Sequence, residues 1–272
     1  MIPDQAKIVL ITGASSGLGR ACAAYLAAKG FTVFGTSRQP AEMPSGVQPV
    51  ALDVTNDVSV EQAVTAVLKR APRIDVLVNN AGMGIAGPIE ETSVEEAKRQ
   101  FEVNFFGVMR LCQEVIPLMR EQGNGRIINV SSMAGVVALP FQGLYSASKF
   151  ALEGFSEALR FELDPFNIQV VVVQPGDFRT RFTASRRVVA DAFASPVYGA
   201  LFQRALQRFE AEENSGANPQ LVAELLHRII LAKSPRFRYR VGVWFQRFYV
   251  GLRPFLPEKL FANLIATHYG LR

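Results

Sequence analysis

Six short runs of apolar or β-branched residues dominate the first 175 positions of the chain: KIVLITG at 7–13, FTVFGTS at 31–37, PVAL at 49–52, IDVLVNN at 74–80, RIINVSS at 126–132 and IQVVVVQP at 168–175. Their apolar character is nearly continuous rather than alternating, which suits strands covered on both faces. The spacing leaves room for a helix between successive runs, so the pattern predicts a parallel, doubly wound sheet with right-handed crossovers. The expected fold is α/β, a single sheet of about seven strands flanked by helices, with a C-terminal helical extension. No repeat, low-complexity stretch or long linker divides the chain before about residue 177.

A chain of 272 residues with 49% apolar content can bury a sizeable core as one domain. Cys22 and Cys112 are too few and too isolated for a disulfide framework or a zinc cluster, which suits a reducing compartment, and no metal site is expected. The N-terminal MIPDQAKIVLITG carries an acidic residue and runs straight into a strand, so no secretory signal is expected. Arg247 and Arg253 interrupt the most apolar part of the tail, which excludes a spanning segment there. The expected location is cytoplasmic, with membrane contact at most peripheral and through 235–272. The NVS sequon at Asn129 falls in a buried strand and reads as chance. Of the net charge of +5, residues 235–272 hold seven Lys or Arg against one Glu, a surplus of six that leaves the rest at about minus one. A uniformly basic nucleic-acid binder is thereby disfavoured.

After the first strand comes TGASSGLGR, with Gly13, Gly17 and Gly19. Glycines let the backbone turn sharply and approach a ligand closely, and the helix that follows presents free N–H groups to a diphosphate. The spacing is neither G-x-G-x-x-G nor a P-loop. Through Gly13, Ser15 and Gly17 it also fits the G-x-S-x-G elbow of hydrolases. That rival needs a histidine base, and the candidates are His227, within the helix-like QLVAELLHRII, and His268; no HGGG-like oxyanion segment accompanies them. At the end of the second strand, GTSRQP puts Ser37 and Arg38 where a ribose-binding acid would sit in an NAD enzyme. A guanidinium there suits the 2′-phosphate of NADP, with hydroxyls of Ser15 and Ser16 in support. Asp53 and Val54, read as the end of the third strand, offer a carboxylate and an apolar wall for adenine. In YSASK, Tyr145 and Lys149 stack on one helix face, and a neighbouring ammonium should lower the phenol pKa and make Tyr145 a proton donor.

With NNAG at 79–82, VN at 103–104, NVSS at 129–132, YSASK at 145–149 and PGDFRT at 175–180 following the glycine turn in order, the sequence resembles the short-chain dehydrogenase/reductase family across residues 7 to about 180. The resemblance implies a Rossmann-type, dinucleotide-binding catalytic domain spanning 1–272, with a substrate-binding lid segment at 177–218 and an aromatic, basic extension at 235–272. It places the diphosphate on Gly13, Gly17, Leu18 and Gly19, the adenosine against Asp53, Val54, Asn80, Ala81 and Gly82, and the nicotinamide amide against Pro175, Gly176, Phe178 and Thr180. The family's catalytic tetrad falls on Asn104, Ser132, Tyr145 and Lys149. The serine stands thirteen positions before the tyrosine, which selects Ser132 over Ser131 and leaves Ser131 a structural role. In the implied chemistry Ser132 holds the carbonyl oxygen, Tyr145 protonates it, Lys149 depresses the phenol and holds the nicotinamide ribose, and Asn104 fixes a water that resupplies the proton. The expected cofactor is NADP, with NAD second. Homodimer or homotetramer assembly through helices near 95–121 and 145–163 is expected by analogy.

The substrate region is less legible. Tyr198, Leu201, Phe202 and Phe209 follow helical spacing and form either a lid over the cleft or a helix packed permanently on the core. Asn218 and Pro219 read as the N-cap and first residue of the next helix. Nine of the 27 aromatic residues fall in 235–272, where Leu260, Phe261, Leu264 and Ile265 form an apolar stripe. The tail closes a substrate pocket, packs on a second subunit or lies on an anionic membrane surface. Met83, Met133, Phe182 and the aromatic tail suggest a lipophilic ketone or alcohol of steroid, retinoid or acyl type. A cofactor-sensing protein without catalysis is the alternative class, disfavoured because all four tetrad positions are kept.

Overall fold

The computed structural model of the protein describes residues 7–39 and 43–272. Residues 1–6, and with them the acidic start of the stretch argued against a secretory signal, lie outside the described residues, as does Pro40 of GTSRQP. The first half alternates β1 (Ile8–Ile11), α1 (Gly17–Ala28), β2 (Thr32–Ser37), β3 (Val47–Ala51), α2 (Asp57–Leu68) and β4 (Val76–Asn79). A short β5 (Ile85–Ala86) precedes α3 (Val94–Phe101), a π-helical turn (Glu102–Phe106) and α4 (Gly107–Glu121), which leads to β6 (Gly125–Val130). Then come α5 (Gly143–Leu163), β7 (Ile168–Pro175), α6 (Phe182–Ser185), β8 (Arg187–Val188), α7 (Gly199–Asn214), α8 (Gln220–Leu231), β9 (Arg238–Val241), α9 (Trp244–Leu252) and α10 (Glu258–His268).

Seven strands form one sheet in the order β3-β2-β1-β4-β6-β7-β9, every pair parallel. Both faces are covered, and the strands show why. Ile8 and Leu10 of β1 join one core with residues of α2, α4 and α5, while Val9 and Ile11 join a second with residues of α1 and α8. An apolar residue at every position is what a two-sided strand needs. The order reverses between β1 and β4, so the chain diverges there and opens a crevice at the carboxyl ends of the strands.

The structure departs from the sequence reading in several places. Strand β3 ends at Ala51, which leaves Asp53 and Val54 in the turn before α2. The seventh strand comes from inside the tail: RYRV adds to β7 with Val172 beside Arg238 and Pro175 beside Val241. Its alternating arginines conceal it from an apolar-run search, and they fit a sheet edge, where charge discourages further pairing. Arg238 is bonded to Glu153 and Glu157 of α5. The tail is therefore an edge strand followed by helices, not a purely helical extension. Helix α8 starts one residue late, with Pro219 at the N-cap and Asn218 Oδ1 accepting from Gln220 N at 2.9 Å.

Of the two readings for α7, packing describes this structure: Phe202, Ala205, Leu206 and Phe209 are buried. A buried Arg186–Glu213 ion pair and a 2.6 Å bond from Thr183 Oγ1 to Glu213 tie α7 to α6 and the residue that follows it. Beyond β9, Phe261 and Ile265 of α10 pack on Met133, Val137 and Val250, which sets α9 and α10 over the mouth of the crevice. No helix among the described residues is long and apolar enough to cross a membrane.

Candidate active site

The crevice is a cavity of about 870 Å³ bounded by the β1–α1 turn, the ends of β2, β4, β6 and β7, the start of α5 and the two tail helices. Its floor is set by Thr12, a residue the sequence reading passed over. The buried Thr12 hydroxyl accepts from Asn80 N and Ala81 N, both at 2.9 Å, while Asn80 Nδ2 donates to the carbonyls of Thr12 at 2.9 Å and Gly13 at 3.2 Å. These bonds lock the glycine turn to the loop after β4. The threonine directly before a glycine turn was the available signal.

Gly13 and Gly17 have φ of +67° and +54°, a left-handed conformation that glycine adopts at little cost. A Cβ at Gly19 would collide with the Gly13 carbonyl oxygen and the Asn80 amide. The first turn of α1 has neither a side-chain cap at Ser16 nor an acidic residue, so its N–H groups remain for an anion. Ser15, Ser16, Leu18, Ser37, Arg38, Asp53, Val54, Ala81 and Gly82 line the same cavity. Among the described residues Ser37 Oγ is buried without a partner, an orphan donor beside the exposed Arg38. Asp53 accepts from Thr55 N at 2.9 Å and Thr55 Oγ1 at 2.7 Å, and the first of these bonds chiefly holds its carboxyl below the usual range. A glycine cradle, a bare helix N-terminus and a guanidinium at the same cavity fit the phosphates of a nicotinamide dinucleotide.

On the other side, Ser132, Tyr145, Lys149, Met83, Pro175, Gly176, Phe178, Thr180 and Phe182 all reach the cavity. The Ser132 hydroxyl accepts from Ala134 N at 3.0 Å. The buried Ser131 Oγ has no hydrogen-bond partner among the described residues, so the structural role expected of it is not a hydrogen bond there. Lys149 is buried, donates from Nζ to Val130 O at 2.9 Å and lies 5.9 Å from the centre of the Tyr145 ring. Asn104 sits in the π turn with its amide occupied: Oδ1 accepts from Met83 N at 2.9 Å, and Nδ2 donates to Met83 O at 3.0 Å and Ser148 Oγ at 3.1 Å. Gly82 lies next to both groups, since a Cβ there would stand 3.4 Å from Asn104 Oδ1 and 3.8 Å from Lys149 Nζ. Phe182 packs against Tyr145 at 5.7 Å between ring centres.

The expected depression of the phenol by Lys149 is not what this environment produces. Burial pushes Tyr145 up to about 12, opposed mainly by a hydrogen bond with Ser132, and burial lowers Lys149 to about 8 against the attraction of Glu153. Each group loses more by leaving water than its partner, Ser132 for the phenol and Glu153 for the ammonium, returns. Sequence reasoning also passed over Gln246 and the carboxylate of Asp177. Asp177 N donates to Gln246 Oε1 at 3.0 Å and Gln246 Nε2 donates back to Asp177 Oδ2, which fastens α9 to the end of β7. Burial raises Asp177 to about 6.

The hydrolase alternative lacks a base bonded to its nucleophile: among the described residues no hydrogen bond joins either histidine to Ser15, although His268 lines the same cavity. His227 lies edge-on to Tyr25 and Phe31, at 5.8 and 5.7 Å, between α1 and α8, and His268 pairs with Glu212 at 2.7 Å.

Residues 7–189 match the family model described as short chain dehydrogenase. The chain belongs to the short-chain dehydrogenase family. This short-chain dehydrogenase is 44% identical over 268 residues, 98% of its own length and 100% of the relative's, to a 3-ketodihydrosphingosine reductase of Bacteroides thetaiotaomicron. It is 32% identical over 249 residues, 87% of its length and 88% of the relative's, to an NADPH-dependent 3-dehydrocapnine reductase of Ornithobacterium rhinotracheale. Its fold superposes with a TM-score of 0.81 at 27% identity, over 94% of this chain and 95% of the other, on a short-chain dehydrogenase/reductase of Burkholderia phymatum in complex with NAD.

Proposed function

We infer that this oxidoreductase is an NADPH-dependent reductase of a long-chain ketone, with a 2-amino-3-ketone of the 3-ketodihydrosphingosine type as the best-supported substrate. The observation that carries the reading is the shared cavity: the glycine turn with Arg38 bounds one end, Ser132, Tyr145 and Lys149 stand between, and the apolar tail helices bound the other. The full-length likeness to a 3-ketodihydrosphingosine reductase supports the substrate class over the steroid and retinoid alternatives. So does the lining, where Met133, Phe245, Tyr249, Val250, Phe261 and Ile265 suit an alkyl chain. The carboxylate of Asp177 at the same cavity suits a cationic amine beside it.

Gly13, Gly17, Gly19, the first turn of α1, Ser37 and Arg38 would hold the cofactor's phosphates. Bound NADPH would supply the reducing hydrogen to the carbonyl carbon. Negative charge then grows on the oxygen, where Ser132 donates a hydrogen bond and Tyr145 delivers the proton. A phenol held near 12 remains protonated across the physiological range, as a donor must. Lys149 contributes its charge behind the phenol and would hold the nicotinamide ribose, and Asn104 fixes the loop of Met83 against α5. Tyr145→Phe should reduce turnover of the aminoketone by about a hundredfold to ten-thousandfold while NADPH still binds. A variant with near wild-type rate would end the assignment, and equal activity on the analogue lacking the amino group would remove the aminoketone preference.

A further inference from the structure

The tail presents an aromatic and basic face that neither the sheet nor the crevice uses. Helical periodicity gives α9 two sides. Phe245, Gln246, Tyr249 and Val250 turn to the cavity. Trp244 and Phe248, four residues apart, turn away from it and are 74% and 57% exposed, and Phe255 just beyond the helix is 82% exposed. Arg247 on that outer side and Lys259 in the first turn of α10 are exposed, and neither is among the tail residues that pair with a carboxylate.

We propose that this face docks the enzyme on an anionic bilayer surface. Exposed Trp and Phe rimmed by long cationic side chains are the composition of an anchor that lies in the interfacial plane. The charge accompanies the aromatics in sequence, with a surplus of six in residues 235–272; Arg238 of that set is matched by Glu153 and Glu157, while Arg247 and Lys259 stay exposed. An anionic leaflet attracts such a patch, whereas two copies meeting face to face about a twofold axis would press the Arg247 and Lys259 charges together. Tyr249 and Leu264 both line the cavity and are partly exposed, which puts the cavity mouth beside the same face. A lipophilic molecule could pass between bilayer and cavity there without crossing water. Docking does not depend on which ketone is reduced, and it is measured without turnover.

Trp244 is the only tryptophan in the chain, so its fluorescence reports this face alone. The full-length protein is titrated with phosphatidylcholine vesicles and with vesicles also containing phosphatidylglycerol. The expected result is a solvent-exposed emission without lipid, and a blue shift with quenching by brominated acyl chains on the anionic vesicles only. Phe248→Ser with Phe255→Ser, and separately Arg247→Glu with Lys259→Glu, should each weaken vesicle binding at least about tenfold while NADPH binding and reduction of a short diketone persist. A Trp244 emission already blue-shifted in a concentration-dependent way without lipid would place a second copy on this face and overturn the proposal. Anionic vesicles that leave the emission unchanged, or variants that bind vesicles as tightly as the wild type, would overturn it as well.

Discussion

Burial holds the Lys149 ammonium down to about 8 and the Tyr145 phenol up to about 12, so between those limits the pair is a neutral amine beside a neutral phenol. Below about 8 the lysine is a cation and adds electrostatic support to charge developing on the carbonyl oxygen. The sign follows: reduction should be fastest below about 8 and decline as pH rises through that value, read as kcat/KM against pH with NADPH in excess. A rate that climbs through pH 8 would remove Lys149 from the reductive step. Arg38 governs a different choice. A charge-assisted bond to a phosphate is worth about 1.5 to 3 kcal/mol, so Arg38→Ala should weaken NADPH binding by roughly tenfold to a hundredfold and leave NADH binding nearly unchanged. Equal losses for both cofactors would show that Arg38 does not read the 2′-phosphate.

At the scale of elements, the β1–α1 turn is the least tolerant part of the crevice. It is closed by backbone and by the Asn80 amide, so a side chain at position 19 has nowhere to go. Gly19→Ala should cost about 1 to 3 kcal/mol of stability and weaken dinucleotide binding together, measured by thermal unfolding with and without NADPH. Unchanged affinity would mean that the turn does not hold the phosphates. The strand–helix alternation, the glycine turn and the order of motifs were legible because each is local: buried strands demand unbroken apolar runs, and tight turns demand glycine. Strand β9 was not legible, since Arg238 and Arg240 are matched by Glu153 and Gln174, far away in sequence.

For the whole molecule, exposed apolar side chains mark where further contacts belong. Phe106 and Met109 at the start of α4 and Phe161 on α5, the last 68% exposed, occupy the helices expected to pair between subunits. Phe161→Glu should convert an assembled enzyme to a smaller species in light scattering after size exclusion; a wild-type chain that is already monomeric would refute the expected oligomer. The aromatic tail divides between two tasks in the same few residues, with Phe245 and Val250 facing the cavity and Trp244 and Phe248 facing outward. Composition alone showed the enrichment but not the division, which depends on how α9 sits on the end of β7 through Gln246 and Asp177.

The sequence by itself determined the doubly wound sheet, the glycine turn and the stacking of Tyr145 with Lys149, because periodicity and short-range spacing encode them, while Ser132 was carried over from the family resemblance. Only the tertiary structure decided the protonation balance of Tyr145 and Lys149, the seventh strand and the closure of the cavity by the tail. Desolvation and long-range pairing arise from residues that become neighbours only after folding.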